Sequence, residues 1–228
     1  MKAAAVIPAL DEEGAIPAVV RALIEGGALD QVVVVDNGST DRTAQVAREA
    51  GATVVSEPAR GYGNACLRGI AALAQREGGP PEVVVFVDGD GSNDCSEIPL
   101  LLREIERGAQ LVIGSRVRRS EPGSLTVPQR FGNQLATTLM RVLHGIRYTD
   151  LGPFRAITWD GLMRIGMEDR TYGWTVEMQL KAAKFGLQVA EVDVANKPRT
   201  AGRSKVAGTV RGVVGAGTKI IGTIVRYR

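Results

Sequence analysis

The run Val83-Val-Val-Phe-Val-Asp88-Gly-Asp90-Gly91 ends an apolar segment on two carboxylates one glycine apart. Paired acids at the C-terminal edge of a buried strand can hold a divalent cation, and the cation can hold a diphosphate. Asp-Gly pairs also make ordinary turns, so the chemistry needs company along the chain. Two further polar clusters follow apolar runs, Pro8-Ala-Leu10-Asp11-Glu12-Glu13 and Asp36-Asn37-Gly38-Ser39-Thr40-Asp41. In the second, Asp36 can accept hydrogen bonds from a ribose or a base, while Gly38 and Ser39 permit close backbone approach. The competing reading there is an Asx-type turn that caps the next helix. Arg60-Gly61-Tyr62-Gly63 opens a helix with free N–H groups and a cation, both suited to a phosphate or a base.

These clusters need strands to bring them together, and the pattern supplies them. Short β-branched runs at residues 3–7, 31–35, 53–56, 83–87 and 111–114 alternate with helical periodicity at 16–25, 43–50, 64–76 and 98–107. Such alternation predicts an α/β fold with a mostly parallel sheet flanked by helices, in which ligands sit outside the carboxyl ends of the strands. After Arg116 the alternation stops at a loop, 118–123; helices at about 129–143 and 174–185 and a strand at 188–194 follow. The chain thus divides into segment 1–116, which carries the strand-end acids, segment 117–205, whose cations are expected to meet an anionic acceptor, and segment 206–228. Glycines do not directly follow the first strand and no GxxxxGK[ST] run occurs, which disfavours a nicotinamide dehydrogenase and a P-loop enzyme.

Composition narrows the partners. The 228 residues carry a net charge of only +3, but the cations concentrate in the second half, among them Arg116, Arg130, Arg155, Arg199 and Lys205. That half is expected to meet something anionic. Aromatic content of 4% and the lack of a recognised nucleic-acid module argue for a phosphorylated molecule or an anionic membrane surface rather than nucleic acid. Cys66 and Cys95 lack metal-ligand spacing and the N-terminus lacks a leader pattern, so a reduced, cytosolic protein is expected, placed where it can meet the inner face of the membrane. The single His144 is read as a packing residue. In segment 206–228, Arg211, Lys219 and Arg226 fall on one helical stripe against an apolar remainder. This suits peripheral membrane contact through the C-terminus; its glycines equally suit packing on the domain or on a second subunit of a homo-oligomer.

The ordered set Ile7-Pro8-Ala9-Leu10-Asp11-Glu12, residues 35–41, Arg60-Gly61-Tyr62-Gly63, Asp88-Gly-Asp90, Gly114-Ser115-Arg116, Asp150-Leu-Gly152-Pro153-Phe154-Arg155, Glu177 and residues 199–205 resembles a family 2 glycosyltransferase of the GT-A fold, in its dolichyl- or polyprenyl-phosphate sugar synthase branch. The resemblance implies that Pro8, Leu10, Glu12, Asp36 and Asp88 line a nucleotide pocket and that Asp90, with Asp88, holds Mg2+ or Mn2+ on the donor diphosphate. It assigns Arg116, Arg130 and Lys205 to the anionic acceptor or the diphosphate. One departure stands out: the lipid-phosphate mannosyl branch commonly places glutamine two residues after the second aspartate, and this chain has Ser92.

The expected reaction is inverting transfer of a hexosyl group from a UDP- or GDP-sugar to a polyprenyl phosphate or similar phosphorylated acceptor. A cation near the departing diphosphate stabilises the transition state, and an arginine clamp that includes Arg155 suits the acceptor phosphate. A hydroxyl acceptor, such as a glycerate or a glycolipid, would add a need for a carboxylate base, for which Asp150 and Glu177 are the candidates. Trp174 and Glu177, one helical turn apart, can present an aromatic wall and a carboxylate to the sugar, or Trp174 can fill the core. Outside catalysis, the alternative is a nucleotide-sugar-binding subunit without activity.

Overall fold

The computed structural model describes residues 1–202 and 210–227. Seven strands form one sheet in the order β3-β2-β1-β4-β6-β5-β7. They are β1 Ala3–Ala9, β2 Gln31–Asp36, β3 Thr53–Ser56, β4 Val83–Phe86, β5 Leu111–Ser115, β6 Arg155–Thr158 and β7 Val189–Asp193. All neighbours pair in parallel except β6, which runs antiparallel to both β4 and β5. β1, β2, β4 and β5 are apolar on both faces, as strands covered by helices on both sides must be.

Period-two alternation sends successive side chains to opposite faces. Ala3, Ala5, Ile7 and Val34 pack under α1 (Ile16–Glu25) and α4 (Ile98–Glu106), while Ala4, Val6, Val33 and Phe86 pack under α3 (Tyr62–Ala74) and α7 (Trp174–Lys184). Helix α2 (Thr43–Glu49) lies beside α1, and α6 (Trp159–Ile165), which periodicity does not single out, follows β6 with Thr158 as its N-cap. The element expected at 129–143 is α5 (Val127–His144), opened by a capping box between Thr126 and Gln129. Asp94 caps a short 3-10 turn, Cys95–Glu97, one turn before α4.

A third, smaller apolar cluster joins α5, α7 and α8 (Val210–Arg226) through Met140, Leu180 and Ile224. The C-terminal helix is therefore packed on the domain. Its Lys219 pairs with Asp169 at 2.9 Å instead of completing an outward basic stripe, and Tyr227 Oη donates to Glu177 at 2.8 Å. No helix among the described residues is long and apolar enough to cross a membrane.

Candidate active site

Because β1, β2 and β4 are parallel neighbours, the loops leaving their carboxyl ends share one edge of the sheet. They form a cleft of about 510 Å3. Pro8, Ala9, Leu10 and Glu12 come from the end of β1, Asn37 follows β2, and Asp88, Gly89 and Asp90 follow β4. Arg60, Gly61 and Tyr62 enter from the start of α3, and the second half contributes Gln129, Tyr172 and Arg199.

The acidic floor is held by short local bonds. Asp90 Oδ1 accepts the Ser92 N–H at 2.9 Å, and the Asp88 N–H donates to Asn93 Oδ1 at 2.9 Å. Tyr62 Oη donates to Asp88 Oδ1 at 3.4 Å. Burial, followed by the neighbouring Asp90 charge, pushes the Asp88 carboxyl up to about 7. Arg199 spans the cleft: its Nη1 meets both Glu12 carboxylate oxygens at 2.7 Å and its Nη2 lies 3.2 Å from Asp90 Oδ2. Two strand-end carboxylates in an open cleft suit Mg2+ or Mn2+, which use few protein ligands when diphosphate oxygens and water complete the shell. Burial is the larger cause of the raised Asp88 carboxyl and the Asp90 charge the second; a cation between the two would offset the second. Among the described residues no cluster of three or more His, Cys, Asp or Glu side chains accompanies the pair.

The walls are built by contacts between distant loops. The side-chain amide of Asn37 donates to Glu57 O and Ala59 O, and its oxygen accepts the Gly61 N–H at 2.8 Å. Gly61 has φ +142, and a Cβ on it or on Gly63 would collide with the carbonyls of Arg170 and Asp169. Glycines here let the 166–173 loop lie directly on the start of α3 and carry Tyr172 into the cleft. Asp11, at φ +51, receives Thr40 N–H at 2.7 Å, so the loops after β1 and β2 are knitted together.

Several residues read from the sequence lie elsewhere. Asp36 accepts the Ser39 N–H at 3.1 Å and Gly38 O accepts from Arg60, so this pair builds the turn, and Asn37 is the member facing the cleft. Alternation explains the swap, since adjacent residues point to opposite sides. Arg116 makes a bidentate pair with Asp150 at 2.7 and 2.8 Å, and its N–H donates to the same carboxylate. Burial raises the Asp150 carboxyl, but the Arg116 charge and hydrogen bonds outweigh it and hold the group below the ordinary carboxylate range.

Arg155 is fully buried with its guanidinium on the carbonyls of Leu151, Gly152 and Thr175, so it braces the fold and reaches no acceptor. Burial pulls it down to about 10. Glu177 is 1% exposed and binds Lys181 at 2.8 Å, the N–H groups of Glu168 and Asp169, and Tyr227; it holds the 166–173 loop and does not line the cleft. Trp174 is core filler, edge-on to Phe86 with ring centroids 5.9 Å apart. Arg130 is exposed beside the cleft residue Gln129, its Nε 3.5 Å from Leu125 O, and Lys205 lies outside the described residues. Arg199 and Tyr62 belong to motifs visible in the sequence. For Gln129 and Tyr172, delivered by distant segments, no local signal exists.

The model of the family described as glycosyl transferase family 2 matches residues 4–166. The chain is 38% identical over 211 residues to an uncharacterized glycosyltransferase of Mycobacterium tuberculosis, covering 92% of this chain and 91% of that protein. It is 29% identical over 229 residues to the undecaprenyl-phosphate mannosyltransferase of Micrococcus luteus, covering 94% and 90%. Among solved structures, glucosyl-3-phosphoglycerate synthase from Mycobacterium tuberculosis, in complex with Mn2+, uridine diphosphate and phosphoglyceric acid, superposes with a TM-score of 0.79 at 25% identity, over 99% of this chain and 78% of that one. With the family model spanning most of the chain, and its strand-end carboxylates gathered in one cleft, the protein belongs to glycosyl transferase family 2.

Proposed function

We propose that the protein transfers a hexosyl group from a uridine diphosphate sugar, held with Mg2+ or Mn2+, to a phosphorylated acceptor. The observation that carries this reading is the convergence of Glu12, Asp88, Asp90 and Arg199 at the ends of parallel strands in a cleft walled by Pro8, Leu10 and Asn37. The metal and nucleotide bound by glucosyl-3-phosphoglycerate synthase support the donor assignment. Asp88 and Asp90 would hold the cation, which when bound neutralises charge on the departing diphosphate. Arg199, now paired with both Glu12 and Asp90, is placed to turn its fork toward a phosphate. Asn37 and the Gly61 turn shape the nucleotide end, and Tyr172 narrows the opening on the side of the second half.

For the acceptor, that same relative favours a hydroxyl on a phosphorylated small acid over the polyprenyl phosphate preferred from the sequence. A hydroxyl must lose a proton as it attacks. Asp150 and Glu177 are both committed to ion pairs inside the fold and Asp88 and Asp90 to the cation, which leaves that task to Glu12 once Arg199 turns from it toward a phosphate. The commitment of Asp150 and Glu177 is also the specific observation that favours the second reading, a polyprenyl phosphate whose oxygen is already anionic, in line with the Micrococcus luteus relative. Direct attack in either case inverts the anomeric centre.

Radiolabelled UDP-glucose with Mn2+, offered phosphoglyceric acid or undecaprenyl phosphate, separates the readings by whether label enters the aqueous or the organic product. Proton NMR of the product gives the anomeric configuration. Donor turnover that is indifferent to EDTA, with label in neither product, would overturn the proposal.

A further inference from the structure

Helix α5 buries one face through Ala136 and Met140, yet its opposite face is also apolar. At about 100° per residue, Val127, Phe131, Leu135 and Val142 fall within one arc of about 80°. They are 80%, 67%, 36% and 70% exposed, an apolar stripe interrupted by Thr138 and left largely open by the described residues. Along one edge of the stripe stand Arg130 and Arg141. Arg141 and Arg147 line a shallow pocket of about 260 Å3 with Thr137, Thr138 and Tyr148, and no carboxylate is among its walls. Neither arginine forms an ion pair among the described residues, whereas Arg116, Arg118, Arg119 and Arg199 all do.

We propose that this face of α5 docks on an anionic phospholipid surface, the stripe entering the acyl boundary and a headgroup phosphate sitting between Arg141 and Arg147. The chemistry matches on both counts, since apolar side chains gain by burial in the interface and arginines gain from phosphate. A second copy of the chain fits less well, because a two-fold contact on this stripe would gather two sets of Arg130, Arg141 and Arg147 in one interface with no carboxylate on α5 to offset them. Gln129, in the first turn of α5, lines the cleft, so the docked surface meets the cleft mouth. The docking role moves membrane contact from the C-terminal helix, where the sequence suggested it, to α5, and it stands whichever acceptor is used.

The test is co-sedimentation of the full chain with phosphatidylglycerol-rich and pure phosphatidylcholine vesicles, without substrates. Wild type should bind the anionic vesicles and be released by high salt. Phe131→Asp with Val142→Asp should lower binding at least about tenfold, and Arg141→Gln with Arg147→Gln should remove the preference for anionic vesicles. Calorimetric binding of UDP with Mn2+ should be unchanged in both variants, which separates failure of docking from failure of the donor site. Sedimentation of the Asp variant equal to wild type would overturn the proposal, as would loss of binding only with Val214→Asp and Val225→Asp on α8. A wild-type dimer in sedimentation velocity that the Asp variant dissociates, without vesicle binding, would reassign the stripe to a subunit interface.

Discussion

The chain up to Ser115 and the chain from Arg116 onward use charge in opposite ways. In the first part, carboxylates stand at strand ends and point into the cleft: Glu12, Asp88 and Asp90 meet there because β1 and β4 run side by side. In the second, the arginines that looked like a phosphate clamp are mostly spent on the fold. Arg116 closes on Asp150 and Arg155 on three carbonyls. A buried guanidinium must be paired to be tolerated at all, so the cations with the most conspicuous sequence context became structural. Among the described residues of this part, Arg199 is the cation that crosses back to the acidic cleft.

Substitutions can break or sharpen this contrast. Asp90→Ala should lower transfer by about a hundredfold or more while the melting temperature changes little, because the side chain supplies charge at a solvent-facing strand end and almost no packing. Steady-state rates with saturating metal check the first part, and calorimetry the second. Arg199→Ala should cost about ten- to a hundredfold in donor affinity, the value of a charge-assisted hydrogen bond, and should leave the far-UV spectrum unchanged. Comparable rates in Arg199→Ala and wild type would place this cleft-crossing cation outside the chemistry.

In the second half, changes should act on stability first. Asp150→Asn should destabilise by about 3 kcal/mol, the lower end for a broken buried pair, since Arg116 is 17% exposed and keeps some access to water. Asp150 has a folded-state pKa below its unfolded value, so its contribution is fully present above the ordinary carboxylate range and is lost as pH falls through the folded value. The gap between wild type and Asp150→Asn in urea midpoint should therefore shrink on acidification. A gap that widens in acid would contradict the pairing. The smallest effect on rate is expected from Glu177→Gln: less than the about hundredfold of a lost general base, with a fall of about 5 °C or more in melting temperature as Lys181 loses its partner.

The same contrast explains what the sequence made legible. Strands buried on both faces write continuous apolar runs, and their ends mark the ligand edge, so Pro8, Leu10, Glu12, Asp88 and Asp90 could be placed before any coordinates. Arg60 and Gly61 followed from a glycine turn opening a helix. Asn37 was hidden behind its more acidic neighbour Asp36, where only strand phase decides which of the two faces inward. Tyr172 could not be found locally, since it reaches the cleft only because Gly61 and Gly63 admit the 166–173 loop. Spacing puts Lys181 one turn from Glu177, but it does not reveal that Tyr227 and two backbone N–H groups enclose the carboxylate, because those partners come from just past α8 and from a loop. Pairing between distant segments is what converts a catalytic-looking charge into a structural one.

The central claim is that the strand-end carboxylates bind a nucleoside diphosphate through a divalent cation. Isothermal titration of UDP into the full chain tests it directly, with Mn2+ or EDTA present, for wild type and Asp90→Ala. Tight binding is expected only for wild type with Mn2+, with a loss of about tenfold or more in each of the other three combinations. Equal affinity for UDP in EDTA, or in Asp90→Ala with Mn2+, would contradict it.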